Sequence, residues 1–493
     1  MNNMKSENTV RVRYAPSPTG DPHVGNIRTA IFTWLYAKNK SGEFVVRIED
    51  TDQSRTIPGA IENILDSLNW LSMDWDEGPP NDKPLGPYLQ SDRLETFYIP
   101  FAQKLVENGH AYTCYCSPER LSEVREKRRA QKLDTSYDRN CRYLTPEQQK
   151  DFEGTRIPSV IRFAMPLEGE WKLSDIIRGD VKFQNKGIDD FIIIKSDGYP
   201  TYHLANVIDD HCMKISHVIR AEEWLSSTPK HLAIYAALEW NPPQFAHLPI
   251  ILAPDKSKLS KRHGTTSVLD YRKQGYLPYA MFVFLSLLGW SLDDKTEVLT
   301  IPEIIKNFSL ERVSKSGAVF DIQKLNWLNG YFMRTISEES LAETILDYWN
   351  QYPETGISPI PSISQIIPIV PLIKERIKTL YEVKPLVNFF FSDDIQYDDE
   401  DLIQKGMDRE TTKYALKKVI ENLSNIQEFD ELNIETSLRL VAEEMELKPR
   451  QLLGSVRVAL SGLEVSPPLF KSIEIIGKKR SFQRIDNAIL KLE

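Results

Sequence analysis

Between Val10 and Ile48 the sequence reads strand, turn, helix, strand, and this order constrains the fold more than any other feature. Val10, Val12 and Tyr14 alternate with Arg11 and Arg13 as a short strand does. Pro16-Ser17-Pro18-Thr19-Gly20-Asp21-Pro22 is turn-rich. Beyond it, Ile27, Ala30, Ile31, Trp34 and Leu35 recur at helical spacing on one face. Phe44 to Ile48 reads as a second strand, and Pro58 opens a helix through Ile61, Ile64, Leu65 and Leu68. This is βαβ grammar, so the expected class is α/β with a doubly wound parallel sheet.

The pattern breaks at residues 112–145, a charged stretch with three of the four cysteines, which reads as an insertion. Strand-like runs resume at Val160–Phe163, Phe191–Lys195 and Leu248–Leu252, and are expected to complete the same sheet. From Lys324 onward the pattern is helical, with five prolines between Pro353 and Pro371 as rigid connections. A length of 493 residues suggests about three folding units. Lys and Arg number 61 against 70 Asp and Glu, a net −9, so a polyanion must be met by local basic patches. Four cysteines exclude a disulfide scaffold. The most apolar stretch, Tyr279–Trp290, is too short to span a bilayer, and Met1–Thr9 has no apolar export segment. A cytoplasmic protein without a membrane partner is expected.

Two segments carry chemistry. The first turn lets backbone N–H groups and a helix N-terminus approach a phosphate, with His23 as an added donor for a developing oxyanion. Far downstream, Lys258-Leu259-Ser260-Lys261-Arg262 offers cations to clamp a departing pyrophosphate. Each alone is ordinary: a histidine in a turn is commonly a packing residue, and a basic cluster is commonly a solvated loop. Together they define a pattern.

His23-Val24-Gly25-Asn26 after a first strand, with Lys258-Leu259-Ser260-Lys261-Arg262 far downstream, resembles the class I aminoacyl-tRNA synthetases. Arg13–Gly20, Arg47–Asp52, Tyr199–Asn206 and Val218–Trp224 narrow the resemblance to the glutamyl-tRNA synthetase family of bacterial type. It covers essentially the whole chain, closely to about residue 335. It implies a Rossmann-like catalytic domain in two halves, 10–105 and 189–252, around a connective, acceptor-stem insertion at 106–188. A stem-contact domain at 253–335 carrying the basic loop and an all-α anticodon-binding region at 336–493 complete the expectation.

The resemblance assigns roles residue by residue. His23, Gly25, Lys258, Ser260 and Lys261 are expected to be catalytic, and Pro16, Thr19, Gly20, His23, Gly25, Asn26 and Lys261 to hold ATP, which arrives with Mg²⁺. Arg13, Ala15, Ser17, Glu49, Tyr202, Asn206, Arg220 and Trp224 are expected to form the glutamate pocket. Glutamate carries two carboxylates and one ammonium, so two arginines and one acid suit it. By analogy Arg13 and Tyr202 face the side-chain carboxylate and Arg220 the α-carboxylate. Activation would give glutamyl-adenylate, then transfer to tRNA(Glu), by a chain expected to be monomeric. Arg376 falls where the family's helix carries the arginine that reads the third anticodon base.

Relatives place Cys-x-Cys and Cys-x-His in the insertion as a zinc site. Here Cys114, Cys116 and Cys141 match, and Tyr143 stands at the histidine position, with Tyr137 as another oxygen; a structural zinc is the expectation. Pro118–Lys132 and Lys471–Arg484 are the basic runs available to RNA. Charging of tRNA(Gln) as well, a glutaminyl-tRNA synthetase, and a non-catalytic RNA-binding protein on the same fold are the competing readings. The helical C-terminal region opposes the second, and the intact motifs oppose the third. A dinucleotide-binding dehydrogenase would need Gly-x-Gly-x-x-Gly after the first strand, which is absent.

Overall fold

The computed structural model of the chain describes residues 9–80, 83–153 and 157–493. They divide into two compact units: residues up to Tyr271 with Met281–Ile322, and Arg272–Ala280 with Gln323–Glu493.

In the first unit, β1 (Arg11–Tyr14) leads through α1 (Val24–Asn39) to β2 (Glu43–Val46), and α2 (Ala60–Trp70) and α3 (Ile99–Glu107) follow. Then come β3 (Ala111–Cys114), α4 (Pro118–Ala130), α5 (Pro146–Glu153), β4 (Val160–Phe163), β5 (Glu170–Asp175), β6 (Gly179–Gln184) and β7 (Ile192–Ile194). The chain continues through α6 (Tyr202–Cys212), β8 (His217–Ala221), α7 (Thr228–Ala237), β9 (Gln244–Leu248), β10 (Ile251–Leu252) and, further on, β11 (Ala318–Val319). The main sheet has the order β2-β1-β8-β9-β5-β6, parallel except for the β5–β6 hairpin. In its register Arg13 lies beside Val45, and Arg220 beside His247.

The expected βαβ start is present, but three readings need correction. The runs at 160–163 and 191–195 do not complete the main sheet; β4 and β7 join β3 in a separate antiparallel sheet. Alternation marks a strand but names no partner, and partner choice rests on non-local packing. Second, Glu170–Gln184, inside the expected insertion, forms the edge hairpin of the main sheet, with Asp175 against Phe245. Third, the run 248–252 is split, because β9 ends at Leu248 and β10 pairs with β11 in a two-stranded sheet.

Helix α1 is also not one-faced. Besides the expected apolar stripe, Arg28, Phe32, Thr33, Tyr36 and Ala37 are buried. Sheet strands cover one side, while Phe308 and Phe282 meet Phe32 and Trp34 edge-on from the other. A helix so covered fixes the turn that precedes it, which is where the site lies.

The second unit is helical as expected, with no strand among its described residues. The proline-rich stretch holds short helical pieces, Ile363–Ile366 and Val370–Ile373, rather than long helices. No helix among the described residues is long and apolar enough to cross a membrane.

Candidate active site

The turn after β1, the start of α6 and the end of β8 enclose a cavity of about 220 Å³. Arg13, Ala15, Pro16, Ser17, Thr19, Asn26, Glu49, Tyr202, Arg220 and Trp224 line it. Of the expected pocket residues, Asn206 lies behind the wall, where its Oδ1 accepts from Arg13 Nη2 at 3.0 Å and Arg47 Nη2 at 3.2 Å.

Arg13 projects from β1 and is buried, donating from Nε to Asp210 Oδ1 at 2.9 Å and from Nη2 to Asp210 Oδ2 at 3.3 Å. Arg47, fully buried beside it, donates to Asp210 at 2.8 Å and to Glu49 Oε1 at 3.1 Å. Burial pushes the Glu49 carboxyl above its usual range, against the pull of Arg47 and Arg13. Glu49 is thereby oriented and open to a cationic ligand. Sequence reasoning missed the support beneath these residues. Asp209 accepts from Arg93, Gln90 and Tyr98, and Asp210 bridges two arginines; an Asp-Asp pair on an apolar helix was the available signal.

Arg220 ends up beside Tyr202, whose hydroxyl accepts from its Nη1 at 3.1 Å. Tyr202 and Arg13 line the same cavity, and the Tyr202 hydroxyl is held by Arg220. Trp224 tilts against the Tyr202 ring at a centroid distance of 4.2 Å.

A second cavity of about 270 Å³ is lined by His23, Gly25, Asn26, Arg28, Glu223, Lys258 and Leu259, and shares Asn26 and Ala221 with the first. Backbone hydrogen bonds bring the two motifs together: Val24 N donates to Thr266 O at 2.8 Å, and Val268 N to Pro22 O at 3.1 Å. His23 caps α1, its Nδ1 accepting from Gly25 N at 3.0 Å. A Cβ at Gly25 would meet that nitrogen at 3.2 Å, so glycine admits the contact. With Nδ1 accepting, the proton sits on Nε2 as a donor. Burial lowers the His23 pKa, and Lys258 and Lys261 lower it further, which keeps the ring neutral.

The basic loop is a small hairpin: Leu259 N donates to Ile251 O at 3.0 Å, and Ala253 N to Ser257 O at 2.8 Å. Lys258 pairs with Glu223. Ser260 N donates to His263 Nδ1 at 3.1 Å, an internal role, and Lys261 stands exposed. Gly20, Ser260 and Lys261 line neither cavity.

In the insertion, the Sγ atoms of Cys114, Cys116 and Cys141 lie within 4.8 Å of one another. Tyr137 joins them, its hydroxyl 3.3 Å from Cys114 Sγ and 3.4 Å from Cys116 Sγ. Tyr143, the expected fourth ligand, is 69% exposed, and the structure does not bring it to the cluster. The turn at Arg139–Arg142 points residue 143 outward, while Tyr137 N is anchored on Asp189. Sulfurs bound to one tetrahedral zinc at about 2.3 Å sit about 3.8 Å apart, and Cys116 Sγ lies 3.5 Å from Cys141 Sγ, with all three sulfurs within 4.8 Å of one another.

In the second unit Arg376 is exposed and lies on a turn just past the helix Val370–Ile373, not within a helix as expected. Of the basic runs, α4 is solvent-facing, with no buried residue. The 471–484 run is largely used inside: Arg484 donates to the Leu460, Phe389 and Ser392 carbonyls, and Lys471 pairs with Glu474.

Residues 9–327 match the family described as tRNA synthetases class I (E and Q), catalytic domain, and residues 340–489 match an anticodon binding domain. A glutamate–tRNA ligase of Dehalococcoides mccartyi is 51% identical over 98% of this chain and 99% of its own length. The chain belongs to the glutamyl-tRNA synthetase family. Another family member, the glutamate–tRNA ligase of Moorella thermoacetica, is 44% identical over 98% of both chains. A solved glutamyl-tRNA synthetase family structure, a glutamate tRNA ligase from Elizabethkingia meningosepticum in complex with its amino acid, superposes with a TM-score of 0.87 at 36% identity. It covers 99% of this chain and all of that one.

Proposed function

We propose that the chain is a glutamate–tRNA ligase that activates L-glutamate with ATP and transfers it to the terminal adenosine of tRNA(Glu). The carrying observation is the cavity wall: two buried arginines, Arg13 and Arg220, face one acid, Glu49, the inverse of glutamate's charges. Arg220 with Tyr202 receives one carboxylate and Arg13 the other, while Glu49 takes the ammonium.

ATP occupies the second cavity with Mg²⁺ on its phosphates. A glutamate α-carboxylate oxygen attacks the α-phosphorus, the bond to the bridging oxygen breaks, and pyrophosphate leaves with its electron pair. His23 Nε2–H, the positive end of the α1 dipole and the lysines of the basic loop meet the charge that develops. The terminal ribose 2′-hydroxyl then attacks the carbonyl carbon, the acyl C–O bond to the phosphate breaks, and AMP leaves with the hydroxyl proton on its phosphate. No side-chain nucleophile is needed, so catalysis is positioning and electrostatics.

Zinc fits the insertion. Cys114, Cys116 and Cys141 with the Tyr137 oxygen would hold it as a structural ion that ties α4 to the small sheet. The enzyme would work as a cytoplasmic monomer, in keeping with its family. Glutamate-dependent pyrophosphate exchange with tRNA present, and charging of purified tRNA(Glu), test the function; exchange driven equally by glutamine would overturn it.

A further inference from the structure

The Arg220 guanidinium has five N–H donors, and neutral atoms meet all of them. Nε donates to His247 Nε2 at 3.0 Å, Nη1 to His231 Nδ1 and Tyr202 Oη at 3.1 Å each, and Nη2 to Thr228 Oγ1 at 3.0 Å and Trp224 O at 3.4 Å. No carboxylate is among them. Arg13 and Arg47 differ, since both are tied to Asp210.

Arginine cannot accept, so His247 Nε2 and His231 Nδ1 must be unprotonated acceptors. The tautomers then propagate outward. His247 Nδ1–H donates to Asp175 Oδ2 at 2.6 Å, and His231 Nε2–H donates to His203 Nδ1 at 3.2 Å. Asp175 is itself held by the N–H groups of Ile177 and Arg178. Burial lowers the pKa of His231 and His247, and takes His203 down to about 3.

His231, His247 and Thr228 are fully buried and line no part of the cavity, whereas Tyr202 and Trp224 do. An entering carboxylate can therefore take the hydrogens now given to Tyr202 and Trp224, while the inner three contacts keep the fork in place.

We propose that His231 and His247 are positioning residues for amino-acid selection: as acceptors without negative charge they fix the Arg220 guanidinium and leave it without a direct carboxylate partner until a substrate carboxylate arrives. A buried aspartate in either place would hold the arginine equally well but neutralise it. The imidazole pair gives rigidity without that neutralisation.

This inference rests on the proposed glutamate activation. The test compares two nearly isosteric variants, His231→Asn and His231→Asp, by glutamate KM in pyrophosphate exchange with tRNA present. Both keep an acceptor on Nη1, but only aspartate adds charge. His231→Asp should raise glutamate KM at least about tenfold over His231→Asn, with ATP KM the same in both. Equal glutamate KM values, with the wild type active on glutamate, overturn the role alone; a wild type inactive on glutamate overturns the proposed function and this role together. A second pair guards against misfolding at 231. His247→Leu removes the acceptor on Nε and should raise glutamate KM about tenfold, and His247→Gln, which restores an acceptor, should recover most of it. Identical wild-type KM values for both His247 variants refute the proposal.

Discussion

Asp210 Oδ1 accepts from Arg13 Nε at 2.9 Å with both side chains buried, and the same carboxylate also binds Arg47. Removing its charge leaves two arginines under-compensated in the interior. Asp210→Asn is expected to cost about 3–5 kcal/mol of stability, measured by urea unfolding. Burial pushes this carboxyl up, but Arg13 and Arg47 more than reverse that and hold it below the usual range. A depressed carboxyl contributes fully above the unfolded value of about 4 and loses its contribution as pH falls through the folded value. The wild-type advantage over Asp210→Asn should thus persist at pH 5 to 8 and fade only in more acid solution.

Lys261 is exposed on the basic loop, yet its charge reaches His23. Lys261→Ala is expected to lower kcat for glutamate activation about 100-fold or more, with glutamate KM little changed. It should also raise the His23 pKa toward its ordinary value, visible as an upward move of that imidazole in an NMR titration. Near-wild-type activation would show that the loop does not serve the transition state.

The cysteine cluster predicts about one zinc per chain, measured by metal analysis. Cys114→Ser should abolish binding, and Tyr137→Phe should lower affinity about 10-fold or more, because its oxygen sits with the sulfurs. Tyr143→Phe should change nothing. Zinc-free wild-type protein, purified without chelator, would sink the assignment.

Arg376 tests anticodon reading. Cytosine and guanine present different edges, and one wrong-base contact costs about 1–3 kcal/mol. Arg376→Gln is expected to shift the tRNA(Glu) to tRNA(Gln) charging ratio toward tRNA(Gln) by about 10-fold, with pyrophosphate exchange intact. Its neighbour Arg457, whose pKa burial lowers and Arg376 lowers further, makes the patch more cationic than one arginine would. An unchanged ratio would remove Arg376 from recognition.

Local pattern in the sequence determined β1, α1 and β2, the helical C-terminal unit, and the residues of the two motifs, since these depend on spacing along a few turns of chain. Arg13, Arg220 and Glu49 were legible only through the family resemblance carried by the motifs around them, and the structure brings all three to one cavity. Only the tertiary structure decided which strands pair, so β4 and β7 left the main sheet while the charged β5–β6 hairpin entered it. It also decided partners. Arg220 found the Tyr202 hydroxyl, Tyr137 rather than Tyr143 lies at the cysteines, and Arg484 took three carbonyls instead of solvent. These choices are set by desolvation. A buried cation or hydroxyl must find an acceptor across tens or hundreds of residues of chain, and no local periodicity records which one.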